Sequence, residues 1–148
     1  MKAVVIFESM YGNTRAIAEA VAEGIAADGD VQVTTLPVGA ATTELAAGAD
    51  LLVVGGPTHA HGMSRPPTRR AAHEAAAKPD SGLLLDPTAT GPGVRDWLGH
   101  LEHRSGLGAA FDTRLDAPAM FTGSAASGIA RKLRRSGITA ITKPEASW

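Results

Sequence analysis

The sequence has no cysteine, which excludes disulfides, thiolate metal centres and thiol nucleophiles and removes the usual framework of a secreted fold. A reducing cytoplasm suits it. No long apolar run opens the chain. Five apolar residues separate Lys2 from Glu8, too few for a secretory signal or a membrane span, so the N-terminus reads as mature protein and no membrane partner is expected. Nor is there an excess of one charge: 14 basic against 15 acidic residues leave a formal charge of −1. A nucleic-acid footprint over the whole molecule is thereby excluded. A local bias remains at Arg131, Lys132, Arg134, Arg135 and Lys143, the pattern of a solvated helix face. Internal repeats are also missing.

What is present is 148 residues, 44% apolar and 20% charged, the profile of one globular domain over residues 1–148 with a single core of ordinary size. Val4, Val5 and Ile6 form a continuous apolar run, as does the stretch Leu51, Leu52, Val53 and Val54. Both predict strands buried on two faces of a parallel sheet. Between them, Ile17, Val21 and Ile25 recur every four residues and predict a helix over 14–27. Val31, Val33 and Thr35 alternate with polar neighbours and predict an edge strand. Thr42 and Thr43 can cap a short helix to residue 47. Further helices are expected over 64–78, with Pro66 and Pro67 in the first turn, over 94–103 and over 124–135, and strands over 109–115 and 137–142. Residues 79–93 read as a Pro/Gly-rich connection.

Strict alternation of strand and helix implies right-handed crossovers and a doubly wound three-layer α/β sandwich. Ligands of such sheets lie at the carboxyl ends of the strands, where strand order reverses. The first of these ends reads Glu8-Ser9-Met10-Tyr11-Gly12-Asn13-Thr14-Arg15. It is a short turn running into a helix N-terminus, where unpaired N–H groups, the helix dipole, the freedom of Gly12 and the hydroxyls of Ser9 and Thr14 favour a phosphate. A plain capping turn is the alternative reading. The turn lacks the G-x-x-x-x-G-K-[ST] of triphosphate loops and the G-x-G-x-x-G of dinucleotide folds.

Ser9-Met10-Tyr11-Gly12-Asn13-Thr14 resembles the T/S-x-T/Y-G-N-T phosphate loop of the flavodoxin family, and the order of predicted elements follows that fold over nearly the whole chain. The resemblance implies a five-stranded parallel sheet in the order 2-1-3-4-5. It implies that these six residues hold the phosphate of FMN, and that the loops after strands three and four flank the isoalloxazine. The segment 90–98, the "FDTR" at 111–114 and the "TGSAA" at 122–126 are similar to a bacterial branch of flavodoxin-domain proteins.

After strand three, Gly55 to Met63 is similar to the G-x-P-T/V-[aromatic]-x-G loop of flavodoxins and related reductases, which implies that Pro57, Thr58, His59, Ala60, His61 and Gly62 reach the ring edge. His59 stands where many electron carriers have Trp or Tyr; an imidazole stacks over less area and can carry charge. His59 and His61 lack the third ligand that a metal site requires. After strand four, Asp112, Thr113 and Arg114 occupy the second flanking position. Thr113 is a candidate for the pyrimidine edge and Arg114 for a positive charge near N1 and the C2 carbonyl. A simple ion pair between Asp112 and Arg114 is the alternative. A receiver domain of the same architecture is excluded, because it needs an aspartate where this chain has Gly55 and Gly56.

The resemblance thus implies an FMN-binding electron carrier or small oxidoreductase with a redox protein or a small molecule as electron acceptor. An NAD(P)H-dependent quinone or flavin reductase of the same fold, and an interaction module that has lost FMN, remain as alternatives. The sequence ends at Trp148 without the final helix usual in the family, so either pairing of two copies or a longer native chain is expected to cover the sheet face beside the first helix.

Overall fold

The continuous apolar runs become the inner strands of one sheet in the computed structural model, which describes residues 1–59, 62–114 and 124–147. Strand β1 (Lys2–Phe7) is buried over its last five residues, and β3 (Leu51–His59) over its first seven. Strand β2 (Gln32–Pro37) is only partly covered, as an edge strand should be. With β4 (Gly62–Met63), β5 (Gly106–Thr113), β6 (Ile138–Ala140) and β7 (Glu145–Ser147), the sheet follows the path β2-β1-β3-β5-β6. This is the expected 2-1-3-4-5 order with parallel neighbours. The fifth position is shared: β6 pairs with the start of β5, and β7 pairs with its end. β4 folds back antiparallel on the end of β3.

Two apolar layers follow from the alternation of side chains along inner strands. Ala3, Val5, Phe7, Val53 and Phe111 face helix α1 (Asn13–Ala26), whose Ile17, Val21 and Ile25 pack on them as the four-residue spacing requires. Val4, Ile6, Leu52, Val54 and Ala110 face the other layer. That layer holds α4 (Val94–Gly99) and α5 (Ala125–Arg135), with Val94, Leu98, Ile129 and Leu133 inward. Trp97 packs at its margin and donates its indole N–H to the Ala41 carbonyl. Helices α2 (Thr43–Ala47) and α3 (Pro66–Ala77) complete the alternation.

Some boundaries move. Helix α4 stops at Gly99 rather than at residue 103, and β3 runs on through Pro57, Thr58 and His59, which the sequence suggested as loop. The extension has a partner: Pro57 lies opposite Thr113, and the β4 hairpin covers Thr58 and His59. Lys132, Arg134 and Arg135 occupy the last turn of α5, where cations complement the helix dipole.

Candidate functional site

At the carboxyl edge of the sheet, the turn after β1 and the ends of β3 and β5 enclose a groove of about 190 Å³. Met10, Tyr11, Asn13, Thr14, Pro57, Thr58, His59, Thr113 and Arg114 line it. Pockets that enclose a whole small molecule span about 300–1,000 Å³; this groove can enclose one end of an elongated one. Gly12 caps α1 at φ +94°, a left-handed conformation that side chains resist, and a Cβ there would point into open space. The turn wraps around one oxygen: Ser9 Oγ accepts from the amides of Gly12 at 3.1 Å and Arg15 at 3.3 Å. Thr14 is buried, and its hydroxyl meets that of Thr113 at 2.9 Å across the groove. Tyr11 donates its hydroxyl to the Ala72 carbonyl and so ties the turn to α3.

His59 closes the wall on the β3 side, with Nδ1 3.2 Å from Thr68 Oγ1. Thr68 also bonds the backbone at the start of α3. Its hydroxyl proton goes to the Arg65 carbonyl while its oxygen accepts from the Arg65 amide. Burial, and then the nearby Arg69 charge, lower the His59 pKa from its ordinary value and favour a neutral ring.

On the β5 side, the alternative reading of Asp112 and Arg114 matches the geometry. Asp112 is fully buried. Its carboxylate accepts from Arg114 Nε at 3.1 Å and Nη2 at 3.2 Å, from Ser124 Oγ at 3.1 Å and from the Ala126 amide at 2.8 Å. Asp112 therefore anchors the start of α5 behind the groove wall, and Arg114, which also lines the groove, is paired with that carboxylate. Thr58 Oγ1 adds a bond from the Ala125 amide. Gly62 pairs with His59 in the hairpin, and Ala60 and His61 lie outside the described residues. Among the described residues, no cluster of metal-ligating side chains occurs.

Two contacts in the site have no local sequence signal. Arg15, at the start of α1, pairs with Asp86 through Nε at 2.8 Å and Nη2 at 2.8 Å, over 71 residues of sequence. Thr88 supports the same carboxylate, and the Asp86 amide donates to the Met10 carbonyl at 2.7 Å. The supposed connection over 79–93 is thus a clasp on the turn after β1. Buried Glu8 accepts from Ser64 Oγ and, at 2.8 Å, from the Val94 amide, joining β1 to the turn before α3 and to the start of α4. Glu8 also borders a larger cleft of about 400 Å³ lined by Phe7, Val38 and Pro92. Its carboxylate makes that cleft a poor phosphate site, so the smaller groove is the better candidate.

The family model described as flavodoxin matches residues 5–82, just over half of the chain. Solved structures with the same fold include three flavodoxins. An archaeal one is 22% identical, with a TM-score of 0.65, 99% of this chain covered and 82% of the other. Flavodoxin 2 from Bacillus cereus is 18% identical, with a TM-score of 0.68, 99% and 83% covered. The flavodoxin of Streptococcus pneumoniae TIGR4 is 17% identical, with a TM-score of 0.66, 98% and 83% covered. No curated protein matches the sequence.

Proposed function

This chain belongs to the flavodoxin family, and from that premise we propose that it holds FMN in the 190 Å³ groove and exchanges electrons with a redox partner. Proteins of the family bind flavin, typically FMN, and pass electrons to partner proteins. One observation carries the reading: two amides at the start of a helix already converge on a single oxygen, Ser9 Oγ, beside Thr14 and across from His59 and Thr113. A phosphate oxygen suits that position, since the donors are N–H and O–H groups and the helix dipole favours an anion. Ser9 and Thr14 would then hold the phosphate, with Gly12 letting the backbone approach it. Thr58, His59 and Thr113 would border the ring, and a neutral His59 would offer one ring nitrogen for a hydrogen bond. The flavin supplies the electron chemistry; the protein orients it and sets its surroundings.

Purified protein incubated with FMN should quench its fluorescence and stay yellow through gel filtration. Colour lost on filtration, with fluorescence unchanged, would leave the flavodoxin-shaped interaction module as the reading. A flavin-loaded protein that also oxidises NAD(P)H in the presence of a quinone would be the reductase. His59 in place of a bulky aromatic favours that possibility by leaving space over the ring.

A further inference from the structure

Charge is distributed unevenly along this chain. Residues 1–50 hold seven acidic and two basic side chains, whereas residues 51–73 hold no acidic side chain at all. That second stretch contains His59 of the groove wall and the first two turns of α3. Arg65 and Arg70 are exposed there. Arg69 and, from α4, Arg95 reach back to the same turn: Arg69 Nη1 donates to Ser64 Oγ at 2.9 Å, and Arg95 Nη2 to the Met63 carbonyl at 2.9 Å. Their charges act on one another. Burial and then the Arg65 charge lower the Arg95 pKa while Asp96 and Glu8 act against them, and burial and then Arg69 lower that of His59.

Compensation is thin. Asp96 lies 3.8 Å from Arg69 and is mostly exposed, so it is a weak, screened partner. Glu8 is buried, with its two oxygens engaged by Ser64 and Val94. Glu74 is one turn further along α3. Lys132, Arg134 and Arg135 of α5 sit in its last turn, away from the Ser124 end that packs at the groove. Among the described residues, one rim of the groove is therefore positive.

We propose that the rim formed by the first turns of α3 and by α4 is the docking surface for an acidic redox partner protein, which it seats beside His59. The inference rests on the flavin reading for its redox part, but not for its electrostatic part. The exposed Arg65 and Arg70, with the partly buried Arg69 and Arg95, act together on a surface that approaches within a Debye length, about 8 Å at physiological salt. Complementary charge raises the encounter rate and fixes orientation more than it raises affinity. A basic partner would meet like charge at the edge where electrons must cross.

Two measurements test it. In the first, protein without flavin is titrated with a fluorescein-labelled hexadecaglutamate peptide, followed by anisotropy. Binding should weaken on the order of tenfold in the Arg65→Glu/Arg70→Glu variant, and should hardly change in Arg131→Glu/Arg134→Glu, which reverses charge on α5. In the second, FMN-loaded protein reduced with dithionite is mixed with ferricyanide or hexaammineruthenium(III). Each reduced flavin gives one electron to each of two acceptor ions and releases the protons gained on reduction. Ferricyanide oxidation should slow with salt and slow on the order of tenfold in the α3 variant, whereas the ruthenium cation should speed up. Equal loss of peptide binding in the α5 variant, or oxidation rates indifferent to the α3 variant, would overturn the proposal. Failure to load FMN refutes the flavin reading, and the peptide titration then decides the rim by itself. Circular dichroism of the variants separates misfolding from lost charge.

Discussion

Thr14 is the residue on which the phosphate reading turns, because its hydroxyl is buried at the start of α1 and already engaged with Thr113. Thr14→Ala should weaken FMN binding about ten- to a hundredfold, corresponding to roughly 1.5–3 kcal/mol for a hydrogen bond to a charged group. Riboflavin has no phosphate, so its affinity should barely change. Fluorescence titration with both flavins makes the comparison, and equal losses for the two would point to a damaged fold instead. Arg114 lends itself to the opposite kind of test. As a charge near the flavin N1 it would tune reduction. As the bidentate partner of a fully buried carboxylate it holds the fold. Arg114→Ala leaves Asp112 without its cation, and breaking a buried pair costs about 3–5 kcal/mol. Urea denaturation should show that loss, while the two-electron potential of any protein that still folds and binds FMN should move little.

Among the elements, the clasp of the 79–93 segment on the turn after β1 calls for a separate test. The Arg15 guanidinium holds the Asp86 carboxyl well below the usual carboxylate range, with the Thr88 amide and hydroxyl assisting. A depressed folded-state pKa means that the unfolded chain binds more protons as pH falls. The clasp therefore contributes fully above the unfolded carboxyl pKa near 4, and its contribution fades as pH drops below that value. Asp86→Asn should lower stability at neutral pH by about 2 kcal/mol, less than for a fully buried pair because the Arg15 side chain is 31% exposed. Its stability should also fall less steeply than wild type between about pH 4 and 2. Parallel acid titrations of the two proteins, followed by circular dichroism, would read both effects, and superimposable curves would remove the clasp from the account. A second inter-element constraint is steric. The Phe111 ring of β5 lies over Gly55 of β3 in the space a Cβ would take, which explains why this strand carries glycine just before the site.

For the whole molecule, the question is what covers the sheet face beside α1. Leu51, Val53 and Phe111 are already buried there, and Ala109 is partly covered. Leu107 and Ile141 are exposed at 41% and 52%. Among the described residues of that face, these two side chains fall far short of the roughly 800 Å² that each partner buries in a stable complex. Sedimentation should therefore find single copies at micromolar concentration, and a concentration-independent dimer would show that a larger surface is used. No helix among the described residues is long and apolar enough to cross a membrane.

The sequence by itself determined the architecture. Continuous apolar runs marked β1 and β3, four-residue spacing marked α1, strict alternation of the two implied parallel strands between helical layers, and the resemblance to flavodoxins supplied the strand order. These signals are local: each element satisfies its backbone hydrogen bonds and buries one face using residues a few positions apart. Only the tertiary structure decided which polar groups in the site are already committed. Thr14 meets Thr113 across 99 positions, Glu8 meets Val94 across 86 and Arg15 meets Asp86 across 71, whereas Arg114 pairs with Asp112 only two residues away. The last pair was legible as an alternative, and the first three were not. A buried carboxylate must find donors wherever the topology brings them, and sequence spacing carries no record of that choice.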